Sequence, residues 1–431
     1  MSATQPRTVT NWSGNVTFGA REFAAPASVS ELQGVVARGR QVRALGTAHS
    51  FNDIADTPGT LVSVTKLPPV VEVDSAAATV RVAAGLPYSD VVGPVERAGF
   101  ALPNLASLPH VSVGGSVVTG THGSGVRNGC LSTSVAALDL VTADGDLVTL
   151  ARETHPREFE GAVVNLGALG VVTSVTLDLV PTFAMRQRVY EGLPLEVLDA
   201  HFAELVAGAY SVCLFTDWRG PRLTQVWVNQ RIGDPDPTVV HEPWFTAVPA
   251  DGPRHPVDGL DATCCTQQLG VIGRWHERLS HFRPDAVPSA GDELQSEYLL
   301  ATQDAPAALR ALDLVRERLA PVLHICEVRT VAADRLWLSP AQGRDSVSIH
   351  FTWTSDLDAV LPVVRLVEDV LTPFAARPHW AKVYTTAPDV VRSHYPKLPD
   401  FVDLVHAYDP HGKFTNEHLR RCIDADRSTH C

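Results

Sequence analysis

The segment that most constrains this chain is Ser112-Val113-Gly114-Gly115-Ser116-Val117-Val118-Thr119-Gly120-Thr121-His122-Gly123-Ser124-Gly125. Its glycines leave a bare backbone that can approach a ligand closely and turn its N–H groups on a pyrophosphate without positive side chains. Composition alone leaves a phosphate cradle and a plain loop equally open. Neither nucleotide signature decides between them. No G-x-x-x-x-G-K-[ST] occurs, and the segment is not a G-x-G-x-x-G opening a helix after a first strand, with an acidic residue about 20 positions on. G-x-S-x-G and H-E-x-x-H are also missing, which removes support for an α/β-hydrolase or a zincin.

Around this segment the first third of the chain alternates strands and helices. Ser28-x-x-Glu31 after Pro26 has the form of a capping box, and a short helix continues over 32–38. A strand at 41–45 ends in Gly46-Thr47-Ala48-His49-Ser50, a second loop of small residues suited to a close ligand. β-branched runs at 61–65, 70–73 and 79–84 predict short strands of one sheet, and 88–98 reads as a helix. Asp144-Gly145 between 136–142 and 147–151 predicts a hairpin with a type I′ turn. Residues 171–180 form a long strand, and Pro181 marks a boundary.

From about 184 to 383, amphipathic helices alternate with strands; 305–319 and 357–374 are the clearest helices. The Pro-, Asp- and His-rich stretch 234–256 predicts a long surface loop. Along 346–353, alternation puts Val347, Ile349, Phe351 and Trp353 on one face, with Ser348, His350 and Thr352 on the other. Strand 325–331 likewise sets Glu327 beside Arg329, about 7 Å along the strand. Gln295 and Lys382 occupy similar apolar settings. Singly, each polar face reads as the wet side of an antiparallel sheet. If the strands are neighbours, they enclose an ammonium, a guanidinium, an imidazole, a carboxylate, an amide and a hydroxyl. That set suits a substrate with many hydroxyls, and its cations would stabilise an alkoxide.

Charge and cysteine usage exclude other classes. Lys+Arg 35 against Asp+Glu 48 gives −13, which repels phosphate backbones and anionic lipid, so nucleic acid and membranes are not expected partners. No apolar run reaches the ~20 residues of a membrane span. The cysteines 130, 213, 264, 265, 326, 422 and 431 show no framework spacing, and no secretory apolar stretch follows the N-terminus, so a reduced, cytoplasmic protein is expected. No metal is expected either: His276-x-x-x-x-His281 is loosely spaced and lacks a third ligand.

Several segments in order resemble the alditol oxidases, the sorbitol/xylitol oxidase group of vanillyl-alcohol-oxidase-type flavoproteins. They are Thr8-Val9-Thr10-Asn11-Trp12-Ser13-Gly14-Asn15, 46–52, 102–110, 115–125, 326–331, 377–382 and 412–416. The resemblance implies an α+β, two-domain flavoprotein of the PCMH type. Residues 1–183 would form the FAD-binding domain and 184–383 an α+β substrate or cap domain, with 384–431 returning to the FAD-binding domain. It implies FAD bonded through its 8α-methyl carbon to His49. The cofactor would be held by Gly46, Thr47, Ala48, Ser50, Phe51, Ser107, Ser112, Gly115, Ser116, Thr119, Gly120, Thr121, His122, Gly123, Gly170, Val171 and Asn416. Family loops often read Gly-Ser-Gly before the linking histidine, whereas this chain has Gly46-Thr47-Ala48.

The implied activity is oxidation of a polyol's terminal primary alcohol, with hydride passing to flavin N5 and O2 reduced to H2O2. Arg329 and Lys382 would act at the reacting hydroxyl, by stabilising an alkoxide rather than by taking its proton, since free Lys and Arg titrate near 10.4 and above 12. Ser107, Gln295, Glu327, His350 and Thr352 would hold the other hydroxyls, and Ala106 would leave O2 a path. A monomer acting on a small polyol and O2 is expected. An aldonolactone oxidase or dehydrogenase of the same fold is the alternative, and a polyol- or sugar-acid-binding protein without redox chemistry the third reading.

Overall fold

The computed structural model describes residues 9–234, 245–286 and 292–423. Thr8, Cys431, the tail from 424 and residues 235–244 of the expected surface loop lie outside the described residues.

Three larger sheets organise the described residues, beside a two-stranded pair of Phe100–Ala101 with Val180–Pro181. Glu22–Ala24, Thr60–Ser63 and Val42–Leu45 form a small parallel sheet with Thr60–Ser63 in the middle. Val71–Asp74, Thr79–Ala83, Val171–Asp178, Val135–Val141 and Leu147–Ala151 form, in that order, a five-stranded antiparallel sheet. The strands expected to share one sheet are therefore split between two. Thr60–Ser63 follows a helical connection and pairs in parallel, whereas the next two strands are close enough in sequence to pair directly and antiparallel.

The helix over Val29–Arg38 starts where the capping box predicts: Ser28 accepts the Glu31 N–H, while the Glu31 carboxylate reaches back to Ala27 N–H. The hairpin at 135–151 is present with a different turn. Gly145, at φ 89°, donates to Thr142 O at 2.9 Å, and Asp144 is not at positive φ. That is a type I turn closed by a left-handed glycine, the three-residue alternative to type I′.

A nine-stranded sheet dominates the second half, its central strands running Ser211–Thr216, Leu323–Val331, Ser346–Thr354 and Glu293–Ala301 in spatial order. The alternation along 346–353 holds: Val347, Ile349, Phe351 and Trp353 are fully buried beneath the helix Leu357–Leu371, which contributes Val360, Val363, Val364, Val367 and Leu371 at three- and four-residue spacing. Each such side chain contributes about 1.5–3 kcal/mol on burial. This helix stops at Leu371, and 372–374 tighten into one 3-10 turn, because Pro373 has no N–H to donate to the carbonyl of Asp369 four residues back. The other long helix is two, Ala305–Asp313 and Arg316–Leu319, broken where Val315 takes φ −112°.

The last helices return to the core of the five-stranded sheet, where Val391, Phe401 and Leu419 join Val80, Val82 and Val175. Asn416 caps Glu417–Cys422 and its amide donates to the carbonyls of Asp53, Ile54 and Asp56. No helix of the described residues is long and apolar enough to cross a membrane.

Candidate active site

A cavity of about 660 Å³ lies between the two glycine-containing loops and the polar face of the nine-stranded sheet. Backbone bonds bring its walls together. Ser112 N–H donates to Thr47 Oγ1 at 3.1 Å, linking the two loops. Phe51 N–H donates to Ala381 O, and the Asn52 amide to Trp380 O and Lys382 O, so the first loop holds the segment carrying Lys382. Gly125 N–H donates to Thr330 O, which ties the glycine-rich segment to the strand of Glu327 and Arg329. That segment is not wholly a loop: Val113–Val118 is a short helix whose first two N–H groups donate to Leu86 and Ala84 carbonyls.

One end of the cavity is lined by Gly46, Thr47, Ala48, His49, Ser50 and Phe51, and by Ser107, Ser112, Gly115, Ser116, Thr119, Thr121, His122 and Gly170. Four other residues expected at the cofactor do not line it. Gly120, at φ 71°, ends the short helix against Pro340, and Gly123 abuts Asn104 and Leu105 so closely that a Cβ would meet Asn104 Oδ1 at 2.2 Å. Val171 is buried in the small core around Phe414, and Asn416 is spent on the carbonyls named above. Gly46 is required by packing, since a Cβ there would stand 2.2 Å from Ser112 Oγ.

His49 is neutral and unusually bare. Burial, then the nearby Lys382 charge, push its pKa down to about 4. Its two ring nitrogens are buried without a hydrogen bond of normal geometry, the Thr47 backbone being the polar group near enough to act on the ring. Trp12 stacks on it at 4.9 Å. Ala48, just before it, holds φ 58°, a left-handed conformation that costs a side chain about 1–2 kcal/mol.

At the other end, register explains the cluster. His350 faces Glu327 across one strand pair and Glu297 across the next, while Thr352 faces Gln295. Gln295, Glu327, Arg329, His350, Thr352 and Lys382 all line the cavity. Arg329 Nε lies 3.5 Å from Glu327 Oε1, and Arg329 donates to Ser107 Oγ at 3.1 Å. The Gln295 carbonyl oxygen accepts from Lys382 and stands 3.1 Å from His350 Nε2. Lys382 also sits over the Phe51 ring, 4.9 Å from its centre.

Alternation from Gln295 would have found Glu297, which the sequence reading passed over. This buried carboxylate accepts from Arg329 at 2.8 Å and Ser348 Oγ at 2.5 Å, and His122 Nε2 lies 3.1 Å away. Burial alone would raise its pKa; the His122 and Arg329 charges outweigh that and hold it well below the usual carboxylate range. His122 thus reaches from the glycine-rich segment to the polar face of the nine-stranded sheet. His281, noted in the sequence only for a spacing too loose to bind metal with His276, lies 3.4 Å from Glu327.

The cationic wall is unevenly charged. Burial, followed by the Arg329 charge, pushes Lys382 down from 10.5 to about 8. Burial holds His350 well below 6.5, so its ring is neutral. Burial opposes the charge of Arg329, but Glu327 and Glu297 outweigh it and raise its pKa. Three atoms named above are buried on this wall without a hydrogen bond: His350 Nδ1, and Glu327 Oε1 and Arg329 Nε, whose mutual contact is an ion pair at 3.5 Å. Buried polar atoms are nearly always paired, so this trio marks where a polar ligand belongs.

Residues 20–151 match the family described as FAD binding domain, and residues 292–422 that described as D-arabinono-1,4-lactone oxidase. The cholesterol oxidase of Brevibacterium sterolicum has the same fold, with a TM-score of 0.77 at 15% identity over 96% of both chains. Fold and site together define an FAD-dependent oxidoreductase of the vanillyl-alcohol-oxidase type. The alditol oxidase of a Streptomyces species is 52% identical over 96% of this chain and 99% of that one. An L-gulono-1,4-lactone dehydrogenase of Mycobacterium tuberculosis is 30% identical over 96% of this chain and 98% of that one. The chain belongs to the alditol oxidase family.

The residues present fit FAD. Two loops of small residues, tied together by Thr47 and Ser112, line the cavity, and the first carries a neutral histidine without normal hydrogen bonds, close enough to Lys382 to feel its charge.

Proposed function

We propose that this chain oxidises the terminal primary alcohol of polyols such as xylitol and sorbitol to the aldose, with FAD bonded to His49. The observation that carries this reading is the set of buried polar atoms left without a hydrogen bond on the wall shared with Lys382: His350 Nδ1, and Glu327 Oε1 and Arg329 Nε, which meet each other only as a 3.5 Å ion pair. The loops carrying Gly46 to Phe51 and Ser112 to Thr121 would hold the FAD, which would supply a hydride acceptor at N5 that O2 can reoxidise with release of H2O2.

The chain's own residues bind the alcohol and manage its proton. Gln295 Oε1 accepts from Lys382, and with His350 Nε2–H directed at the same oxygen, His350 Nδ1 is left as an acceptor for a substrate hydroxyl. Glu327 Oε1 accepts from a second hydroxyl, and Arg329 Nε donates to an oxygen. Ser107, Thr352 and Gln295 bound the rest of the chain. The depressed Lys382 revises the expectation that both cations only stabilise an alkoxide. With its pKa lowered to about 8, Lys382 gives up its proton far more readily than a free lysine, so its amine can accept the hydroxyl proton while Arg329 holds the oxygen's negative charge.

The match of 292–422 to the lactone oxidase family supports a second reading, a sugar lactone in the same pocket. Peroxide assays of the purified enzyme with xylitol, sorbitol, glycerol, mannitol and a γ-lactone separate the two. Turnover of polyols and not of the lactone is expected; turnover of the lactone alone refutes the polyol reading. The reading includes a monomer in the cytoplasm, checked by light scattering and by fractionation.

A further inference from the structure

Beside the cavity, away from the residues assigned above, three soft donors converge. His255, Pro256, Val257 and Leu260 line the cavity wall. Asp261 then caps a single 3-10 turn, Ala262–Cys264, and the next residue is Cys265. One ring nitrogen of His255 and the two sulfurs lie within 4.8 Å of one another, with His255 and Cys265 buried and Cys264 half-buried. We propose that His255, Cys264 and Cys265 bind a zinc ion.

The donors are held from behind. His255 O accepts from the Gln225 amide at 2.8 Å, Cys265 N–H donates to Ala262 O at 3.0 Å, and Cys264 O accepts from Arg283 N–H at 2.9 Å. His255 Nδ1 accepts the Val257 N–H at 3.0 Å and also lies 3.2 Å from Val257 O; with zinc on Nε2 the ring takes the other tautomer, Nδ1–H donating to that carbonyl in place of the Val257 N–H contact. Two thiolates and an imidazole are a known zinc donor set with an open fourth position. Metal bonds of about 2.0–2.3 Å put such donors roughly 3.3–3.8 Å apart, which small side-chain rotations reach from here. Asp261 is not the fourth ligand, because its carboxylate oxygens accept the Thr263 N–H and Oγ1 hydrogens; water completes the site. The adjacent cations do not oppose a metal: Arg254 is paired with Glu191 and Asp251, and Arg283 with Asp285.

The molecule offers one other such group among the described residues, Cys213, His281 and Glu327. It is the poorer site, because Arg329 stands 3.5 Å from the Glu327 oxygen. Zinc at His255, Cys264 and Cys265 would fix the wall that Val257 and Leu260 give the cavity, whichever substrate enters.

The test uses the flavin-loaded protein, stripped with a chelator, equilibrated with zinc sulfate, desalted and counted for metal by mass spectrometry. We expect about one zinc per chain, at least tenfold less in Cys264→Ser and in His255→Gln, and full retention in Cys213→Ser. Flavin content reports that each variant is folded. On the wild type, zinc should slow labelling of Cys264 by N-ethylmaleimide at least tenfold. Wild type retaining under a tenth of an equivalent overturns the proposal. So does zinc held equally by Cys264→Ser, zinc lost only in Cys213→Ser, or a Cys264–Cys265 disulfide in freshly prepared protein.

Discussion

Replacing Glu297 by glutamine tests how the cationic wall is set. The carboxylate, 3% exposed, receives Arg329 and Ser348 and faces His122. Glutamine keeps the shape and one acceptor oxygen but removes the charge, leaving Glu327 at 3.5 Å as the remaining counter-ion of Arg329. A charge-assisted hydrogen bond contributes about 1.5–3 kcal/mol and a neutral one about 0.5–1.5, so the bond that Arg329 keeps to the amide oxygen should be weaker by about 1–1.5 kcal/mol. Carried into the transition state, that corresponds to about 5–13-fold in kcat/KM. The pH profile gives a second, independent reading. Glu297 raises the pKa of Lys382, so Glu297→Gln should bring it below about 8. The active form is the free amine, which appears as pH rises through that pKa, so the acid limb of kcat/KM should move to lower pH. Glu297→Asp, which restores the charge, should move it back. An acid limb that stays in place, or moves to higher pH, in folded and flavin-loaded Glu297→Gln would refute this reasoning.

Lys382→Met should lower kcat by about 10²–10⁴-fold and abolish the limb near pH 8 without releasing flavin, checked by steady-state assays and the absorbance spectrum. His49→Ala should lose the acid-stable colour: flavin that stays with the wild-type pellet after acid precipitation should appear in the supernatant of the variant. Gly46→Ala should lower flavin content, because its Cβ meets Ser112 Oγ at 2.2 Å, and adding Ser112→Gly should restore part of it. Ala48→Gly relieves the φ 58° strain and should stabilise by up to about 1 kcal/mol, or about 1 °C in melting temperature for a chain of this size.

Much of the substrate wall was legible because strand alternation is local. Ser348, His350 and Thr352 had to share a face whatever their neighbours, and the sheet confirms it. Which strands would be neighbours was not legible: Glu293–Ala301 pairs with Ser346–Thr354 across some fifty residues, and only that pairing sets Glu297 opposite His350. The same limit explains why Thr60–Ser63 was assigned to the wrong sheet. Composition allowed a phosphate cradle at 112–125, but it was the resemblance that pointed to His49, an otherwise ordinary histidine. The depressed pKa of Lys382 was out of reach, because it arises from burial and from Arg329, which folding alone brings near.

The central claim, that this cavity oxidises polyols at the expense of its flavin, is tested most directly by mixing the purified yellow enzyme with xylitol in the absence of oxygen. The account predicts that the flavin band bleaches, and that readmitting air restores it with one H2O2 formed per flavin. A band that xylitol and sorbitol leave unchanged, in protein whose flavin is fully reducible by dithionite, would contradict it.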